Sequence, residues 1–122
     1  MAPLHLTTIN ISAPDPENLA RFYARLLGWE MTVFDPGWVT VQPADGSVGL
    51  VISEEPAGFA RPVWPARDGE QQMMMHFELR ADSVLDGVRH ALQAGATLAP
   101  YQPNPHIRVL IDPVGHPFCI WT

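Results

Sequence analysis

Three side chains of this 122-residue chain have the types and spacing for chemistry: His76 and Glu78 in "HFELR", and Cys119 in "DPVGHPFCIWT". An imidazole beside a carboxylate is the pairing of a general base with the group that orients it. Residues i and i+2 of a strand share a face but stand ~6–7 Å apart, so the spacing permits a direct hydrogen bond without imposing one. A thiol serves as a nucleophile where a base or a positive charge lowers its pKa. No helix N-terminus or arginine is evidently adjacent to Cys119, and buried cysteine is most often inert packing. His116, three residues earlier, raises a metal pair as a further option. Odd spacing separates the two, however, and His116 falls in the turn "DPVGHP", where hydrogen bonding within the turn is its expected role. His90 and His106 fall on a helix and in a Pro-rich loop, where surface roles are expected.

Composition narrows the partners. The net charge of −6 argues against nucleic acid, which calls for a basic surface. All seven basic residues are Arg, scattered along the chain, which removes Schiff-base chemistry and a polybasic membrane patch. No apolar run approaches the ~18 residues that span a bilayer, and "MAPLHLTTIN" has neither the basic nor the apolar region of a signal peptide. A lone cysteine cannot form an internal disulfide, so the expectation is a reduced, cytoplasmic protein.

The elements that must position these groups occur twice. Residues 6–12 alternate around Ile9 and Ile11 as a strand with two different faces. Asp15-Pro16 is a helix start; Leu19, Phe22, Tyr23, Leu26 and Leu27 share one helix face, and Gly28 ends the helix. The pattern returns with a strand at 76–81, a cap at Asp82 or Ser83, a helix face of Leu85, Val88 and Leu92, and a stop at Gly95. Asp15 to Gly28 and Asp82 to Gly95 have the same separation. Gly87, inside the second helix, is a local penalty of up to ~1 kcal/mol relative to Ala. Three short strand candidates follow each helix: 30–35, 38–42 and 48–53, then 97–100, 107–111 and 118–121. The result is one α+β domain of two βαβββ modules, at about residues 4–53 and 75–122. The joint at 54–74, rich in Pro, Gly and charge, is too long for an ordinary connection. Its Phe59, Trp64 and Met73–Met75 are candidates for a lid, a core or a dimer contact.

With "APDPENLARFYARLLGWE", "RPVWPARDGEQQMMMHFEL" and "IDPVGHPFCIW" in place, the chain resembles the vicinal oxygen chelate superfamily, which comprises glyoxalases, bleomycin-resistance proteins and extradiol dioxygenases. It is most like the small glyoxalase-like domain proteins. The resemblance implies a curved mixed sheet with helices outside, an enclosed concave cleft, and frequent homodimers. It also implies a divalent metal in the relatives that use one, held by a His on the first strand of a module, another opening the second module, and a Glu on the last strand. Those positions here are Thr8, His76 and Cys119, and the fourth strand, "GLVIS", has no carboxylate. A hydroxyl is a poor ligand for a divalent ion, His5 lies on the wrong strand face, and zinc generally takes three or four protein ligands. The expectation is therefore no metal cofactor; a metal, if any, would sit on His76 with Cys119 or Glu78.

Strand parity then names the residues facing such a cleft. Ile9 and Ile11 turn to the helix, leaving Leu6, Thr8, Asn10 and Ser12. Phe77 and Leu79 leave His76, Glu78 and Arg80, while Phe118 and Ile120 leave Cys119 and Trp121. Thr8, Asn10, His76, Glu78, Cys119 and Trp121 are the candidate ligand contacts. The expected function is metal-independent binding or sequestration of a small aromatic or amphipathic compound. The alternatives are a metal-dependent lyase, isomerase or dioxygenase, or a subunit whose cleft serves assembly.

Overall fold

The computed structural model describes residues 2–122 and divides into two compact units that meet in sequence between Phe59 and Ala60. The first contains β1 (Thr8–Ser12), α1 (Pro16–Leu27), β2 (Glu30–Asp35), β3 (Trp38–Gln42) and β4 (Gly49–Ser53). The second repeats the order with β5 (Phe77–Arg80), α2 (Val84–Ala94), β6 (Thr97–Leu98), β7 (Arg108–Ile111) and β8 (Pro117–Trp121). Each unit is a four-stranded mixed sheet, β1-β4-β3-β2 and β5-β8-β7-β6, and neither closes into a barrel. This is the expected α+β pair of βαβββ modules. The repeat extends to register: Thr8 pairs in parallel with Gly49 and Phe77 with Phe118, 41 residues apart in both cases.

The first helix follows from its local sequence. The Asp15 side chain accepts from the Asn18 amide at 3.4 Å, Pro16 opens the helix, and Gly28 closes it at φ 70° by donating to the Ala24 carbonyl at 2.9 Å. Leu19, Phe22, Tyr23 and Leu26 are buried as the periodicity requires, and the Phe22 and Tyr23 rings meet edge to face at 4.8 Å.

The second helix differs from expectation in the face it buries. Ser83 supplies its cap, accepting from the Asp86 amide at 3.2 Å. Leu85 and Leu92, assigned to the packed face with Val88, are 61% and 43% exposed, while Ala91 and Ala94 are buried. The cause is close approach. A Cβ on Gly87 would stand 3.0 Å from both the Ala81 Cβ and the Ile120 Cγ2. A helix drawn this near to β8 presents its small residues inward, and the leucines are turned to the flank. The packing gained at Gly87 offsets its weak helix propensity.

Several boundaries are shorter than the patterns suggest. Leu6 lies outside β1 and is 69% exposed, His76 stands just before β5, and β6 is two residues long. From Ala60 onward the joint is part of the second unit. There the Val63 amide donates to the Gln71 carbonyl at 2.9 Å and the Trp64 indole to the Tyr101 carbonyl at 3.1 Å. Among the described residues no helix is long and apolar enough to cross a membrane.

Candidate functional site

The parallel pairing of β5 with β8 aligns Glu78 with Cys119 and Arg80 with Trp121. Paired residues project to the same side of a sheet, so these four share a face. The alternate positions turn to α2, where Phe118 is fully buried and Ile120 is 3% exposed. Pairing across 41 residues thus assembles what the local spacing left open.

His76 Nε2 and Glu78 Oε2 stand 2.5 Å apart, the direct contact that an i, i+2 spacing permits. Glu78 also receives a hydrogen bond from the Cys119 thiol. One ligand atom from each of His76, Glu78 and Cys119 lies within 4.8 Å of the other two. Beside them the Arg80 guanidinium carbon is 5.9 Å from the Trp121 ring centroid, within cation–π range. The group combines a titratable imidazole, a carboxylate, a thiol and an aromatic surface on one strand pair.

The thiol is held in its neutral form. Burial, then the hydrogen bond to Glu78, then the Glu78 charge push the Cys119 pKa up from 9.0 to about 11. Near neutral pH almost no thiolate exists, so Cys119 is a hydrogen-bond donor on this face and not a nucleophile. The rate of alkylation by iodoacetamide should therefore rise with pH through about 11, above the ordinary thiol value of 9.0. Glu78→Gln removes the charge and weakens the acceptor, so its rate profile should move to lower pH and its rate at pH 8 should increase. An identical profile in the two proteins would show that Glu78 does not control the thiol.

The first unit carries Thr8, Asn10 and Ser12 on one side of β1, since Ile9 and Ile11 pair with Leu50 and Ile52 on the other. Asn10 Oδ1 accepts from Ser53 Oγ at 2.7 Å. His116 is a turn residue, as its position suggested: its Nδ1 lies 2.7 Å from Asp112 Oδ2. Asp112 is the residue that sequence reasoning passed over. Its buried carboxylate gathers the amides of Val114, Gly115 and His116, and the signal for it was the Asp-Pro-x-Gly turn itself.

The relatives' metal-donor set is not reproduced. Thr8 offers a hydroxyl, the β4 sequence Gly49–Ser53 has no carboxylate, and Cys119 carries a firmly held proton. What the second unit offers is a different set, with Glu78 joining His76 and Cys119.

A family model described as a glyoxalase-like domain matches residues 8–121. The chain is similar to a glyoxalase/bleomycin resistance protein/dioxygenase family enzyme from Burkholderia phytofirmans, at 21% identity over 96% of this chain and 97% of that one, with a TM-score of 0.68. It is similar also to TnmS3, an antibiotic-binding protein from a Streptomyces species, at 20% identity over 98% and 96% of the two chains and a TM-score of 0.64. A possible glyoxalase from Bacillus cereus shares the fold at 11% identity over 98% and 100%, with a TM-score of 0.66. No curated protein sequence matches the chain.

Proposed function

The chain belongs to the glyoxalase-like domain family, and on that premise we propose that it binds and sequesters a small aromatic or amphipathic compound without a metal. The observation supporting this is the convergence of His76, Glu78 and Cys119 beside Trp121, a few polar groups next to an aromatic wall. Three properties favour binding over turnover. The thiol is neutral, the imidazole and carboxylate satisfy each other, and the relatives' metal donors are not all present. Antibiotic binding by TnmS3 is one use of a similar fold, although a fold does not by itself fix a function. Thr8 and Asn10, on the first unit's sheet, are proposed as that unit's contacts to ligand. The reading includes a homodimer, which sedimentation of the purified protein tests, and a cytoplasmic location, which cell fractionation tests.

The decisive experiment screens aromatic and amphipathic compounds by thermal unfolding and follows each hit by calorimetry. A compound present at 100 times its Kd stabilises the folded state by about 2.7 kcal/mol. Trp121→Ala and His76→Ala should each weaken such a hit about tenfold or more, with no product formed. Binding unaffected by both substitutions would sink the proposal. A second reading, a metal-dependent lyase, isomerase or dioxygenase, is favoured by the three-donor grouping alone. Elemental analysis of protein purified without chelator separates the two: a stoichiometric divalent ion, lost in His76→Ala, would replace the binding proposal.

A further inference from the structure

The second unit holds a cavity of about 300 Å3 that none of the proposed ligand contacts lines. One wall is the segment Arg61, Pro62 and Trp64; the others are Pro100, Ile111 and Gly115. Ile111 stands on the same sheet face as Cys119, because Ile111 pairs with Pro117 and Val109 with Cys119. The cavity and the His76 group therefore share a face but no residue. Its volume is at the lower end of the ~300–1,000 Å3 range of small-molecule sites.

Its chemistry is lopsided. Pro62, Pro100, Ile111 and the Trp64 ring are apolar. The Trp64 indole N–H is already given to the Tyr101 carbonyl, so ring surface is what Trp64 has left to offer. Arg61 is the single charged residue of the lining, and it makes no ion pair or hydrogen bond among the described residues. Arg67, Arg80 and Arg108 also have no carboxylate partner among the described residues; what sets Arg61 apart is its place in the cavity lining. A planar guanidinium keeps its charge at every working pH and matches a carboxylate or phosphate in a two-point contact.

The stem of this exposed arginine lies against a fixed turn. Its side chain crosses Gly115 so closely that a Cβ there would fall 2.4 Å from Arg61 Cγ, and Gly115 sits at φ 112°. The Asp112 carboxylate fixes the same turn through the three amides it accepts. The segment that carries Arg61 is itself tied by Val63 to Gln71 and by Trp64 to Tyr101. These backbone and indole ties order the walls before a ligand arrives, which lowers the ordering it must supply.

We infer that this cavity is a binding site for a small organic anion with an apolar body, its acidic group on Arg61 and its body against Trp64, Pro62 and Ile111. The inference stands apart from the proposed function, since no residue is common to both. The test titrates full-length protein with phenylacetate, phenyl phosphate and the neutral phenylacetamide, following the Trp64 indole N–H by nitrogen-edited NMR. At least one anion should bind tenfold or more tightly than the amide, and the tighter anion identifies carboxylate or phosphate as the natural group. Arg61→Gln should weaken that binding at least tenfold, whereas Arg67→Gln, an equal loss of charge in the same segment, should leave it unchanged. Equal affinity for the amide, an unaffected Arg61→Gln protein, an equal loss in Arg67→Gln, or no saturable binding by either anion would each overturn the assignment.

Discussion

Asp112→Ala should destabilise the protein by about 3–5 kcal/mol, read as a lower urea midpoint at unchanged slope. Asp112 is 1% exposed, and its Oδ1 accepts from the amides of Val114, Gly115 and His116 at 3.0, 2.9 and 2.9 Å. Its Oδ2 meets His116 Nδ1 at 2.7 Å. Alanine removes the acceptor and leaves these donors inside the fold, where each unpaired polar group costs about 1–3 kcal/mol. Asp112→Asn keeps one carbonyl oxygen for the amides but sets an NH2 or a neutral oxygen against the imidazole, so its loss should be intermediate. A loss below about 1 kcal/mol for alanine would mean that water replaces the carboxylate and that the turn does not depend on it. Because the turn leads into β8, the Asp112 substitution should also disturb the setting of Cys119.

Phe118→Ala and Cys119→Ala, neighbours in one strand, should differ several-fold in effect. Phe118 is fully buried on the α2 side of the sheet between Phe77 and Leu110, and deletion of a buried phenyl ring costs about 3–5 kcal/mol. Cys119 is half-buried on the other side, and its loss should cost about 1 kcal/mol or less while removing the donor to Glu78. Thermal unfolding of the two variants measures the contrast directly. Equal losses would show that alternation in β8 does not separate a structural face from a ligand face.

How much was legible in the sequence depended on how local the deciding physics was. The cap at Asp15, the stop at Gly28 and the buried set of α1 lie within one helix and could be read there. The packed face of α2 could not, since Leu85 and Leu92 are displaced by the approach of Gly87 to Ile120, a residue 33 positions away. His76 and Glu78 could be seen to share a face, but their contact depends on rotamers that spacing does not set. The elevated thiol pKa needed the Glu78–Cys119 alignment, which strand patterns alone do not fix. Arg61 gave no signal at all: a single arginine in a Pro-rich segment becomes noteworthy only once Gly115 is beneath it.

The 41-residue parallel closure of each unit carries a consequence for the order of folding. Loop closure must be completed before such a pairing contributes stability, so β1 with β4, and β5 with β8, form late within their units. In the second unit the closing strand is also the one that delivers the thiol. A ribosome-bound chain that has not yet released residues 117–121 therefore has His76 and Glu78 without their third member, and β5 without the strand it pairs with. Until that strand arrives, β5 is an unpaired edge open to other chains. Commitment to the native pairing and assembly of the His76–Glu78–Cys119 group are thus the same kinetic event.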